Sequence, residues 1–285
     1  MTGRGTAYGA ATVVNAMPSG CGAAFGVSLK TIAEVELTGN SDEIEVEITG
    51  GKGENKQLAI EAFRITIERF SLEFGGRIRT RSEIPIACGM KSSSAASNSI
   101  ILATLDAISE ELGEMDVIRM GVEASLRAKV TLTGAFDDAC ASYLGRLHIT
   151  DNRQRCILKS YELEPLSVAF LVPEERRYSG DVDPAYIYSY ARASDLALAD
   201  ALENRYWQAM LLNGLVMAHA FRADPSPMLM AMKNGAISSG FCGKGPAICA
   251  VTRKEEEEQV VEGWKGSGCR IITTTTNSYK AQKGG

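Results

Sequence analysis

Pro85-Ile86-Ala87-Cys88-Gly89-Met90-Lys91-Ser92-Ser93-Ser94-Ala95-Ala96 joins an alternating stretch to a helical one, and its reading decides the fold. Before it, residues 77–84 alternate through Ile78, Thr80, Ser82 and Ile84 and stop at Pro85, which predicts a strand. After it, from Ser94, Ile100, Ile101, Leu105 and Leu112 recur at helical spacing, with Gly113 as the expected stop. Between strand and helix lies a loop of small residues, where unpaired backbone N–H groups and the helix dipole favour an anion. Gly89 permits a tight backbone path and Lys91 adds a cation. Ser92, Ser93 and Ser94 bring hydroxyls able to cap the helix, contact phosphate or reach Mg²⁺. A triphosphate cradle is one reading; a serine-rich N-cap followed by tight alanine packing is the other, and composition alone does not choose. No G-x-x-x-x-G-K-[ST] stretch occurs, since Lys244 is followed by Gly245 and Pro246, which excludes the P-loop nucleotide fold.

Upstream, residues 30–48 alternate in two runs, Ile32 and Val35, then Ile44, Val46 and Ile48. Gly39, Asn40, Ser41 and Asp42 separate them, so an antiparallel hairpin is expected. A helix is predicted over 55–74, ending at Gly75-Gly76, and another over 115–129. A polar segment, residues 150–165, marks the expected division between a unit of residues 1–155 and a unit of residues 156–285. The second unit reads as strand, two or three helices, strand, the loop Phe241-Cys242-Gly243-Lys244-Gly245-Pro246, strand, helix and strand, an α+β arrangement.

The 285 residues are 45% hydrophobic, enough for one large core or two smaller ones. A net charge of −5 argues against a nucleic-acid partner, which calls for a basic surface. The opening residues lack a charged head followed by a long apolar run, and no stretch is long enough to cross a bilayer. A soluble, cytoplasmic protein with no membrane partner is expected. The seven cysteines contain no CxxC pair and only His148 and His219 are present, so neither a zinc site nor a disulfide framework is indicated. Chemistry must come from carboxylates, hydroxyls, amides and basic side chains.

Thr133-Gly134-Ala135-Phe136-Asp137-Asp138-Ala139 sets two acids beside small residues after a helical stretch. A positioned carboxylate can orient an alcohol and take its proton; adjacent aspartates also cap helices, and both readings stay open. Glu123 lies on the preceding helix. The loop around Gly243 and Lys244 allows close backbone approach, or is simply a turn between strands.

Taken in order, these segments resemble the GHMP kinases. Residues 85–96 are similar to that family's ATP loop, P-x-G-x-G-L-G-S-S-A-A, with departures at Ala87, Lys91 and Ser94; a lysine followed by three serines resembles the archaeal shikimate kinase version. Residues 133–139 resemble the S-G-x-D-N-A segment, departing by Thr133 and one additional residue, and residues 239–247 resemble the late glycine motif. The opening, Tyr8 to Gly26, is similar to the start of archaeal shikimate kinases and lacks the G-E-H-x-D pattern of galactokinases. The resemblance implies a two-domain GHMP kinase fold of the α+β class with a ferredoxin-like C-terminal domain, and transfer of phosphate from ATP, with Mg²⁺, to shikimate. It implies that Pro85, Ile86, Ala87, Cys88, Gly89, Met90, Lys91, Ser92, Ser93, Ser94 and Ala95 hold the nucleotide, and that Asp137 is catalytic. It further implies Asn15, Ser19, Asp137, Gly243 and Lys244 at the substrate, and Ser93 and Glu123 at the metal. Homoserine or mevalonate as acceptor, and a non-catalytic ligand sensor on the same fold, are the rival readings.

Overall fold

The first 38 residues form two strands, β1 (Thr2–Val14) and β2 (Cys21–Thr38), paired antiparallel from Thr2↔Glu36 to Val14↔Ala23. The structure, a computed structural model, describes residues 1–39, 42–49, 55–131, 133–175 and 183–284. β3 (Ile44–Thr49) leads through α1 (Gln57–Arg69) to β4 (Gly75–Ser82), and β3 and β4 are parallel, as a helical crossover permits. β4 inserts between β2 and β3, so the expected hairpin is not formed; Asn40 and Ser41 of its expected turn lie outside the described residues.

Charge supplies a reason. Directly paired, β2 with Glu34 and Glu36 would face β3 with Glu45 and Glu47, and like charges opposed across strands destabilise a sheet. With β4 between them the registers become Glu36↔Arg77↔Glu45 and Glu34↔Arg79↔Glu47. Arg77 Nε lies 2.8 Å from Glu45 Oε2, and Arg79 Nε lies 3.2 Å from Glu47 Oε2.

Helix α2 (Ser92–Ala107) packs on β1 and β2 with α1 on its flank and is buried along most of its length. Gly3 and Gly5 make the close approach possible: a Cβ at Gly3 would stand 2.2 Å from the Ala103 carbonyl oxygen, and one at Gly5 2.2 Å from that of Ser99. α2 stops at Ala107, with Ser109 left-handed at φ 58°, ahead of the expected stop; Gly113 instead precedes α3 (Glu114–Arg127) as its N-cap. After α4 (Phe136–Leu144), β5 (Leu147–Asp151) pairs with residues 21–25 of β2 and with β6 (Cys156–Tyr161). The expected division at 155/156 therefore falls in the turn of a hairpin whose two strands both join the first sheet. We propose a division within residues 162–166, before the second sheet begins.

That second sheet runs β7 (Ser167–Val172), four helices, α5 (Pro184–Tyr188), α6 (Ala191–Leu202), α7 (Tyr206–Ala220) and α8 (Ser226–Lys233), then β8 (Ser238–Phe241), β9 (Ile248–Thr252), α9 (Glu257–Trp264) and β10 (Arg270–Thr275). Among the described residues, one or two more helices lie between its first two strands than expected. Its antiparallel order, β10-β7-β9-β8, is the ferredoxin-like βαββαβ arrangement. Residues 276–283 then return to the first sheet, where β11 (Gln282–Lys283) pairs with β1. One apolar core joins the two sheets: Val13 and Phe25 of the first pack in one cluster with Phe170 and Val251 of the second and Met210 of α7. Among the described residues no helix is long and apolar enough to cross a membrane.

Candidate active site

Two helix N-termini, those of α2 and α4, open on one cavity of about 380 Å³ between the two units. The first-turn N–H groups of a helix have no partner within it, so both termini present donors and positive dipole ends. Neither N-cap residue caps its helix with its own side chain: Lys91 is the N-cap of α2 in a left-handed conformation, φ 64°, and Ala135 that of α4, φ 50°. The capping alternatives for the serines and for the aspartates are thereby set aside. Ser92 and Ser93 face the cavity from the first turn of α2, and Asp137 and Asp138 face it from the first turn of α4.

Of the loop residues expected at a nucleotide, Ile86, Ala87, Gly89, Lys91, Ser92 and Ser93 line the cavity. Pro85, Cys88, Met90, Ser94 and Ala95 do not: Met90 and Ala95 are core residues, and the Cys88 carbonyl accepts from Ala247 N–H at 3.2 Å. Gly89 must be glycine here, because at φ 82° a Cβ would stand 2.1 Å from the Cys242 carbonyl oxygen of the late glycine loop. That loop closes the cavity from the second unit with Gly243 and Lys244. The Gly243 N–H donates to Thr12 Oγ1 at 2.9 Å, and its carbonyl accepts from Asn15 Nδ2 at 2.7 Å.

Lys91 does not stand open to a phosphate. Its Nζ lies 2.9 Å from Asp138 Oδ1, with only 8% of the lysine side chain and 13% of the aspartate side chain exposed. Burial disfavours the charged ammonium, yet Asp138 and Asp137 outweigh it, and the Lys91 pKa lies above the ordinary lysine value. Burial and the adjacent Asp137 push the Asp138 carboxyl up to about 7, against the pull of Lys91 and Lys244. Lys91, one of the departures from the family's ATP-loop pattern, thus meets the aspartate that follows Asp137.

Asp137 is 4% exposed and tightly held. Its Oδ1 accepts from Asn152 Nδ2 at 2.8 Å, and its own N–H donates to Asn152 Oδ1 at 3.2 Å. Its Oδ2 lies against Gly22, where a Cβ would approach to 2.6 Å.

Of the residues expected at substrate and metal, Glu123 and Ser19 lie off the cavity wall and Asn15 reaches it. Glu123 is off the cavity wall, its carboxylate 3.6 Å from Arg127 Nε and 3.5 Å from an Arg155 terminal nitrogen. Ser19 also lies off the cavity wall, in the β1–β2 turn, with its hydroxyl donating to the Cys21 carbonyl at 3.4 Å. Asn15 reaches the wall, but its amide ties the opening turn to the late loop and accepts from Met17 N–H at 2.9 Å. Thr12, Gly22 and Asn152 were not singled out from sequence; only the polar character of residues 151–154 hinted at the last.

The description "GHMP kinases N terminal domain" belongs to the family model that matches residues 57–146. A shikimate kinase of Methanothrix thermoacetophila is 44% identical over 284 residues, covering 100% of this chain and 97% of that protein. A shikimate kinase of Thermococcus kodakarensis is 42% identical over 274 residues, covering 95% and 98%. In fold, the chain is similar to the crystal structures of Methanococcus jannaschii mevalonate kinase (TM-score 0.76, 13% identity, 97% and 98% of the two chains) and Cytophaga hutchinsonii homoserine kinase (TM-score 0.76, 16% identity, 99% and 97%). At those identities the likeness speaks to the fold alone.

Proposed function

Because the chain belongs to the archaeal shikimate kinase family and carries the GHMP kinase fold, we infer that it phosphorylates shikimate with ATP, yielding shikimate 3-phosphate for aromatic amino-acid biosynthesis. The observation that carries the site assignment is the convergence of the α2 and α4 N-termini on one cavity, with Asp137 at its wall. Ile48, Leu58, Ile100 and Val130, which belong to one apolar cluster, give the cavity an apolar side suited to a flat nucleobase, and the α2 N-terminus with the late glycine loop suits the phosphates.

In the reaction, the acceptor hydroxyl oxygen attacks the γ-phosphorus, the bond from that phosphorus to the β–γ bridging oxygen breaks, and ADP leaves. Asp137 orients the hydroxyl and takes its proton. The α2 amides and the dipoles of both helices balance charge on the transferred group without reorganising. Lys91, shared with Asp138, keeps two neighbouring carboxylates compatible with an incoming polyphosphate. The polar side chains at this end offer oxygen ligands, the set Mg²⁺ prefers, so the residues present fit that ion. Ser93 would hold it, with no part for Glu123, and the ion would neutralise phosphate oxygens.

The test follows ADP release from ATP and Mg²⁺ with shikimate, homoserine and mevalonate in parallel. Release stimulated by shikimate alone is expected. A selective response to either other acceptor would replace the substrate, and nucleotide binding without turnover on any would replace catalysis with sensing.

A further inference from the structure

We infer that Asn152 is the positioning residue of the phosphoryl transfer, fixing which oxygen of Asp137 meets the acceptor hydroxyl. This rests on the assignment of Asp137 as the group that meets that hydroxyl. The amide of Asn152 is 3% exposed and cannot turn over. Its Oδ1 accepts two hydrogen bonds, from Thr150 Oγ1 at 2.7 Å and from Asp137 N–H at 3.2 Å. Flipping the amide would set an N–H₂ against the Asp137 N–H and leave that backbone donor buried without an acceptor, a costly arrangement. Nδ2 is therefore committed to Asp137 Oδ1, at 2.8 Å.

The residue itself is anchored, since the Asn152 N–H donates to the Gly20 carbonyl at 2.9 Å, at the turn into β2. Two residues on, Gly22 packs against Asp137 Oδ2 and has no side chain to cover it. One carboxylate oxygen is thus occupied by a fixed donor, and the other is kept clear by a glycine of the strand that Thr150 pairs with, Gly22↔Thr150. A carboxylate held at one oxygen swings less about its side-chain bond, and the free oxygen keeps one direction toward the attacking hydroxyl; misplacing such a group by an ångström costs on the order of a hundredfold in rate.

Asn152→Leu, similar in size without the amide, tests this in the wild-type and Asp137→Asn backgrounds, with Thr150→Val as a milder second variant. Asn152→Leu is expected to lower kcat by on the order of 10- to 100-fold with the KM for ATP within twofold, and to add no further loss to whatever turnover Asp137→Asn retains. Thr150→Val is expected to lower kcat by about threefold, with the KM for ATP again unchanged, because the hydroxyl stabilises one amide orientation only. An equal fold-loss in both backgrounds, a proportional rise in the KM for ATP, or wild-type kcat in Thr150→Val would overturn the inference. Should Asp137→Asn leave no measurable turnover, the kcat-against-KM split decides alone; should Asn152→Leu not fold, Thr150→Val decides. Full activity in Asp137→Asn would instead remove the assignment of Asp137, whatever Asn152 does.

Discussion

Lys91 and Asp138 behave as one unit. Either alone is a buried charge, and removing one partner of such a pair costs about 3–5 kcal/mol because the other is left uncompensated. Lys91→Met should therefore lose stability as well as turnover, and Lys91→Met with Asp138→Asn should regain a large part of the stability while kcat stays low. Thermal unfolding of the two single variants and the double variant measures the coupling; strictly additive losses would show that the charges act independently. The pair was half legible in the sequence. Lys91 and Asp138 each stand out in a segment of small residues, but nothing local says that residues 47 positions apart touch. The Asn152 clasp was less legible still, since an asparagine in a polar run reads as a turn. Pro85 to Ala96 was legible because its signal, small residues ahead of an apolar helix, is confined to consecutive positions.

At the level of elements, strands were visible in the alternation but their partners were not. Alternation reports which face is buried, whereas pairing depends on what the crossover α1 brings alongside. The charge pattern did carry that information: glutamates on β2 and β3 call for the arginines of β4 between them. Arg77→Glu should line up like charges across three strands and lower Tm by about 2–4 °C. The loss should shrink in 1 M salt; an unchanged Tm at low salt would make the ladder incidental. A second element-level effect concerns His148 on β5. Its Nε2 lies 2.8 Å from the Gly145 carbonyl at the end of α4, and its Nδ1 lies 2.8 Å from the Ser160 hydroxyl of β6. Burial, helped by the nearby Arg146 guanidinium, lowers its pKa from 6.5 to about 4, although the Gly145 carbonyl favours the charged form. With a folded pKa below the unfolded one, the fold binds fewer protons between the two. The contribution is complete above pH 6.5 and is lost as pH falls toward 4, up to about 3 kcal/mol. Denaturant unfolding of wild type and His148→Asn between pH 4 and 7.5 should show a flatter profile in the variant; parallel profiles would assign the acid sensitivity elsewhere.

Across the whole molecule, the shared core governs stability. Phe25 packs edge-on to Trp207 with ring centroids 5.4 Å apart, and the cluster they belong to includes both sheets. Neither unit can expose its half of that cluster without exposing the other's. Calorimetry should therefore show one cooperative transition, with calorimetric and van't Hoff enthalpies in agreement; two resolved transitions would mean that the units unfold separately. The sequence suggested two units and could not show that their cores fuse, because the contacts between Val13, Phe25, Phe170 and Met210 cross the division.

The return of residues 276–283 to the first sheet carries a consequence in time. Arg146 N–H donates to the Asn277 carbonyl at 2.7 Å, Asn277 N–H to that of Gly26 at 2.9 Å, and Ala281 N–H to that of Tyr143 at 2.6 Å, so the far end of the helix that bears Asp137 is tied down by residues made almost 140 positions later. A ribosome that has released the whole of residues 1–155 has therefore produced every group expected to handle phosphate from the first unit, yet not the segment that ties the far end of α4. On the growing chain that end of α4 stays untied through the synthesis of the entire second sheet, and these bonds close only as the last described residues emerge.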